Sequence, residues 1–143
     1  TRGQLGNDVI MSPSSYFYFD SPKYEDFSDV EDMCWPIDYR ALRTLESVYS
    51  FDPYASLTEE QGKHILGMQA NTWTELISDT GRMQLLDYPR FAALCECAWG
   101  SEKTDYETFV RRTYNSLVPL YTAKGYNYAR REFQKLGLDA TEQ

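Results

Sequence analysis

Two short apolar runs, Asp8-Val-Ile-Met-Ser12 and Ile65-Leu-Gly-Met68, set the tightest limit on what this chain can fold into. The first stops at Ser12-Pro13 and reads as a buried strand. The second climbs into polar residues and reads as a strand over about 64 to 71. Helical sequence lies between them. After Pro36, the residues Tyr39, Leu42, Leu45, Val48 and Tyr49 recur at helical spacing, which predicts a helix over about 37–49. Two strands joined through a helical crossover form a βαβ unit, with parallel pairing and a right-handed connection. Two parallel strands do not make a sheet, because apolar strands of this type are covered on both faces. The chain is therefore expected to be part of a larger α/β domain.

Caps and breakers place the other elements. Ser21 to Cys34 is acidic, contains Pro22 and reads as a long loop. Phe51-Asp-Pro53 ends the first helix. Thr58 and Gln61 make a capping box for a short helix, which Gly62 weakens. Past a turn at Ser78 to Gly81, a helix is expected from Met83, to be kinked or restarted by Pro89. Phe91, Leu94, Cys95, Ala98 and Trp99 form the expected apolar stripe of the next segment. Thr104-Asp-Tyr-Glu107 reads as a second capping box. It opens a helix with Tyr106, Phe109, Val110, Leu117, Leu120 and Tyr121 on one face, ended by Lys124-Gly125. Residues 1–125 are expected to form the domain segment, and 126–143 a tail with a short helix at Tyr128 to Phe133 and a fraying polar end.

Composition narrows the function classes. A net charge of −8 opposes nucleic acid as the main partner and also disfavours an anionic membrane surface. No apolar run is long enough to predict membrane insertion. One His and no Cys-x-x-Cys spacing argue against zinc, and no Gly-rich phosphate loop is present, so neither metal nor cofactor is expected. Cys34, Cys95 and Cys97 read as reduced, buried small hydrophobes. The twelve tyrosines are compatible with carbohydrate and protein surfaces as well as cores, since each joins an apolar body to a polar handle.

The ends of the two strands carry one shared pattern. Tyr18-Phe-Asp20 follows the first and Trp73-Thr-Glu75 follows the second, each an aromatic, a spacer and a carboxylate. Extended residues two apart point the same way, so each pair would share a face. On neighbouring parallel strands the pairs would converge at one rim, where a sugar ring could stack on an aromatic and donate hydroxyls to carboxylates. Spacing alone favours a plainer reading of the second pair, a core Trp followed by a solvated Glu. Phe19 and Asp20 equally suit ordinary loop anchoring. His64 has no Ser or Cys placed to use it as a base and reads as structural. The acidic set Glu25, Asp26, Asp29, Glu31 and Asp32 lacks a calcium-loop pattern and reads as a solvated loop.

Four segments in order carry a resemblance. Ile65-Leu-Gly-Met-Gln-Ala-Asn-Thr-Trp-Thr-Glu75 and Tyr88-Pro-Arg-Phe-Ala-Ala-Leu-Cys-Glu-Cys-Ala-Trp99 resemble the C-terminal part of the family 20 glycoside hydrolases, the β-N-acetylhexosaminidases. Asn7-Asp-Val-Ile-Met-Ser-Pro13 with Tyr18-Phe-Asp20 is similar to that family's penultimate-strand motif, and Val48-Tyr-Ser-Phe-Asp-Pro53 to the segment after it. The resemblance covers roughly residues 5 to 130. It implies an α/β fold, the C-terminal portion of a (β/α)₈ barrel, with strands seven and eight at Asp8 to Ser12 and Ile65 to Asn71. It implies hydrolysis of terminal β-linked N-acetylglucosamine or N-acetylgalactosamine by substrate-assisted retention. By position, Trp73 would belong to the aromatic wall and Glu75 would bind the C4 and C6 hydroxyls. Tyr18 would hydrogen-bond the acetamido oxygen, and Asp20 would help hold the far hydroxyls. Pro89, Arg90 and Trp99 look structural.

The family's adjacent Asp-Glu catalytic pair has no counterpart, because the chain contains no Asp-Glu dipeptide. The resemblance therefore implies a sugar-binding piece without catalytic residues of its own. Its expected partners are β-N-acetylhexosaminide glycans and either the N-terminal part of the barrel or a second copy. The parent enzyme would be periplasmic, extracellular or lysosomal. The alternative is a non-catalytic sugar-binding or oligomerising module derived from such an enzyme. Measuring mass in solution while titrating N-acetylglucosamine separates the two.

Overall fold

The computed structural model describes residues 6–23, 42–75, 77–100 and 102–139. Two strands, β1 (Val9–Met11) and β2 (Ile65–Met68), pair in parallel with Val9 opposite Ile65 and Met11 opposite Met68. The expected strands and their direction are thus present. The register slips between Val9 and Ile10. A one-turn helix, α1 (Ser14–Phe17), then leaves the sheet, an element that the aromatic density of this stretch hid. The chain returns at once: Tyr18 bridges Asn71, Asn71 donates its N–H to the Phe17 carbonyl, and Phe19 donates to the Asn71 carbonyl.

The crossover helix α2 (Leu45–Ser50) is shorter than expected. Thr44 adopts an extended backbone and its hydroxyl accepts from the Ser47 N–H, so the helix starts there. The expected residues 37–41, with Cys34 and the acidic set from Glu25 to Asp32, lie outside the described residues. α3 (Glu59–Gly62) carries the predicted capping box in full, Thr58 and Gln61 each accepting from the other's backbone N–H. α4 (Thr80–Asp87) begins before Met83 because Asp79 caps it through the Arg82 N–H. The cis Tyr88-Pro89 bond separates it from α5 (Arg90–Trp99).

The core lies on the helical side of the strand pair. Phe17, Phe19, Leu45, Val48, Tyr49, Leu94, Phe109 and Phe133 belong to one buried cluster, with the Tyr49 and Phe109 rings stacked 4.2 Å apart. α5 buries Leu94 as expected but otherwise turns a different face inward. Arg90, Ala93, Leu94 and Cys97 are buried, at positions i, i+3, i+4 and i+7. Cys95, Ala98 and Trp99 face outward, and Trp99 is 88% exposed, so neither a buried Cys95 nor a structural Trp99 holds. The reason is the charged residue at the start of the stripe: Arg90 lies inside.

α6 (Tyr106–Lys124) buries Phe109, Val110, Thr113, Val118 and Tyr121, whereas Leu120 is about half exposed. Its cap is Asp105 rather than Thr104: the Asp105 carboxylate accepts from the Thr108 N–H, while the Thr104 carbonyl accepts from the Tyr49 hydroxyl. Gly125 ends the helix in the left-handed conformation at φ 66°, the cap that glycine adopts without steric penalty. α7 (Arg131–Lys135) starts later than expected, and Tyr128, Ala129 and Phe133 around it are buried. The other face of the strand pair is uncovered among the described residues, with Ile10 59% and Leu66 66% exposed.

Candidate functional site

The resumed ladder at Tyr18 and Asn71 builds the rim. Backbone bonds at Phe17, Phe19 and Asn71 fix the two chain exits side by side, just beyond the C-terminal ends of β1 and β2. The Asn71 side chain reinforces this by donating to the Ser12 hydroxyl at 2.7 Å, and it accepts from Gln69 at 2.9 Å. The alternation expected from sequence is present on the first exit. Phe19 is fully buried, and Tyr18 and Asp20 on either side of it are partly exposed.

Tyr18 and Trp73 meet across the exits, with ring centroids 6.3 Å apart and planes at 55°. Trp73 is 51% exposed and is therefore not a core residue, which removes the plainer reading of its position. A half-exposed indole beside a phenol offers an apolar plate with a hydroxyl at its edge. Glu75 lies in the turn beyond Trp73 and is exposed. The structure thus brings Tyr18 and Trp73 together and leaves Glu75 in solvent. Asp20 is different again. Its Oδ1 is buried and has no hydrogen-bond partner among the described residues. An unpaired buried carboxylate oxygen is costly.

Arg90 anchors the first exit from behind. Its guanidinium is fully buried and donates to the carbonyls of Phe19, Ser21, Arg43 and Leu86, while lying 4.7 Å from the Phe19 ring centroid. This matches its expected structural role.

The second exit has its own anchor, which the sequence reading missed. Thr72 donates its hydroxyl to Asp87 Oδ1 at 2.7 Å, and Asp87 is 8% exposed at the end of α4. Burial pushes the Asp87 carboxyl above its ordinary value of 3.8 and the charge of Asp20 adds to this, opposed by the Thr72 bond and by Arg90 and Lys23. A carboxylate on the last turn of a helix, where the dipole disfavours negative charge, was the available signal. His64 is remote from all of this. It pairs with Asp8 at 3.1 Å, at the N-terminal ends of the strands.

The family model described as glycosyl hydrolase family 20, catalytic domain, matches residues 2–102. The chain is 34% identical over 127 residues to a beta-hexosaminidase of Porphyromonas gingivalis, covering 87% of this chain and 15% of that protein. It is 26% identical over 126 residues to a beta-N-acetylhexosaminidase of Cellulomonas fimi, covering 87% and 24%. Among solved structures, the GH20 beta-N-acetylhexosaminidase from Streptomyces coelicolor A3(2) superposes with a TM-score of 0.73 at 24% identity, over 90% of this chain and 25% of that one. The GH20 exo beta-N-acetylglucosaminidase from Vibrio harveyi, in complex with N-acetylglucosamine, gives 0.71 at 26% identity, over 88% and 19%. The chain thus spans between 15% and 24% of the length of these two curated relatives.

Proposed function

The chain belongs to glycosyl hydrolase family 20, and from that premise we propose that it serves as the C-terminal part of a β-N-acetylhexosaminidase barrel. In this reading β1 and β2 are the seventh and eighth strands, residues 1–125 are the barrel segment and 126–143 its tail. The substrate is a glycan ending in β-linked N-acetylglucosamine or N-acetylgalactosamine. Trp73 packs on the C–H face of that sugar, and Tyr18 hydrogen-bonds its acetamido oxygen. Glu75 accepts from the C4 and C6 hydroxyls, and Asp20 helps hold the far side.

The observation that carries this reading is the pairing of Tyr18 with Trp73 across adjacent parallel strand exits, each with a carboxylate two residues on. Barrel enzymes place their sites at that end of the strands. The open face at Ile10 and Leu66 supports it as well, since further barrel strands would cover that face.

Bond cleavage follows substrate-assisted retention. The acetamido oxygen attacks the anomeric carbon as the glycosidic bond breaks, and a general acid protonates the departing oxygen. An adjacent Asp-Glu pair performs the orienting and protonating steps. No such dipeptide occurs in these 143 residues, so this chain binds and orients while the pair comes from the rest of the barrel.

The purified 143-residue chain is expected not to hydrolyse an aryl N-acetylglucosaminide, and turnover by it would sink the proposal. In the enzyme that contains it, Glu75→Gln should lower kcat/KM by roughly 10- to 100-fold, the worth of a charge-assisted hydrogen bond. Unchanged kinetics would remove Glu75 from the site. The open strand face would also suit a self-associating sugar-binding module, which a stable oligomer that binds N-acetylglucosamine would favour.

A further inference from the structure

We infer that Asp87 is a positioning residue for the sugar wall, acting through Thr72 on the turn that carries Trp73 and Glu75. This rests on the proposal that Trp73 and Glu75 bind substrate. The geometry starts from where the ladder ends. Asn71 is the last residue of the second exit that bonds to the first, through Phe17 and Phe19. The next backbone bond along the chain is from the Ile77 N–H to the Thr74 carbonyl, inside the turn itself. Between these lies Trp73, and among the described residues the side chain that tethers this stretch is Thr72, which donates to Asp87 at 2.7 Å. That bond fastens the residue before Trp73 to the end of α4. Without it, the indole would be held by two rotatable residues and its ring contact with Tyr18.

The surroundings of Asp87 fit a placed carboxylate rather than a filler. It is nearly buried, where a carboxylate is costly unless paired. The charged groups acting on it are Arg90 on α5, with Lys23 and Asp20 on the segment after β1. Both cations also hold backbone carbonyls, Lys23 that of Leu85 and Arg90 that of Leu86. Asp87 is thus tied to Trp73 through Thr72, and the charge of Asp20 on the first exit reaches it. An apolar pair at 72 and 87 would lack this bond and would not fix the direction in which the exit leaves the sheet.

The test follows the Trp73 indole N–H in ¹⁵N–¹H spectra of the full chain, assigned with Trp73→Phe and referenced to Trp99. Thr72→Val and Asp87→Ala are each expected to shift the Trp73 resonance and leave Trp99 in place. The double variant should move it no further than either single one, because both remove one bond. Asp87→Asn keeps an acceptor oxygen and should hold the wild-type position. If Asp87→Ala does not fold, Thr72→Val against Thr72→Ser makes the same comparison, with serine restoring the position. An unmoved Trp73 in Thr72→Val, or additive shifts in the double variant, overturns the inference.

In the enzyme, Thr72→Val should raise KM for an aryl N-acetylglucosaminide by about tenfold, with a smaller change in kcat, as expected for a misplaced binding group. If Trp73→Ala and Glu75→Gln are kinetically silent while the spectra show the coupling, the substrate-wall reading fails and the tether stands. If those variants are impaired and the coupling is absent, the tether alone fails.

Discussion

On one side of the β1–β2 pair the protein is closed, and on the other it is open. Phe17, Phe19, Val48 and Phe133 are fully buried on the helical side, and Arg90 binds four carbonyls from segments far apart in sequence. Across the strands, Ile10 and Leu66 are apolar yet more than half exposed. Within the strands, Met68 packs against the core while Ile10 and Leu66, equally apolar, do not. The strands therefore carry more apolar surface than the described helices cover. The Tyr18–Trp73 rim lies on the seam, anchored from the closed side by Arg90 and by Thr72 to Asp87.

The contrast can be broken most forcefully at Arg90. Arg90→Met keeps the apolar volume and strands the carbonyls of Phe19, Ser21, Arg43 and Leu86. It should cost about 3–5 kcal/mol, measured by urea denaturation, as expected when a buried charged network loses its centre. A loss under about 1 kcal/mol would mean that water replaces the guanidinium and the closed side is less dry than its burial indicates.

A smaller effect should come from pH. The Asp87 carboxyl is raised above 3.8 in the fold, so the folded state holds its proton more tightly than the unfolded state does. Stability from this group should fall as pH rises from 3.8 through the raised value. The helix caps Asp79 and Asp105 behave oppositely. Both are held below 3.8, Asp79 chiefly by the Arg82 N–H and Asp105 chiefly by the Thr108 hydroxyl, so their stabilisation is present above 3.8 and lost below it. Denaturation across this range should show wild type gaining on Asp87→Asn as pH drops from neutral toward 4. A trend of the opposite sign would contradict the burial of Asp87.

The smallest effect should come from the open face. Leu66→Ser in the isolated chain should change stability by no more than about 0.5 kcal/mol, because the side chain leaves little apolar contact behind. The same change in an assembled barrel should be far costlier. Equal losses in both would mean that the face is covered in the chain by itself.

Sequence made the local signals legible. The two strands, the Thr58 capping box, the restart at Pro89 and the Gly125 stop each depend on residues a few positions apart, and the parallel direction follows from the helical crossover between the strands. Features set by distant partners were misread. Counting apolar residues on α5 found Leu94 but also chose Phe91, Cys95, Ala98 and Trp99, because it excluded the arginine that heads the buried face. Thr104 looked like a cap, but Asp105 takes that role and the Thr104 carbonyl accepts from Tyr49, fifty-five residues away. The site was half visible. Aromatic, spacer and carboxylate could be read at both exits, but spacing could not decide whether Trp73 faced the core or solvent. The Thr72–Asp87 bond spans fifteen residues and two elements, so no window of sequence contains its logic.

The detour through α1 has a consequence for how such a rim can change over time. Tyr18 takes its position from Asn71, not from the end of β1. Chain added at the exposed Ser14 and Ser15 would lengthen the detour while its far end stays registered. Each doubling of that loop adds only about 0.6 kcal/mol of closure entropy. Material can thus be grafted beside the Tyr18–Trp73 rim without moving it, which gives lineages a place to vary what approaches the rim while the rim itself is inherited unchanged.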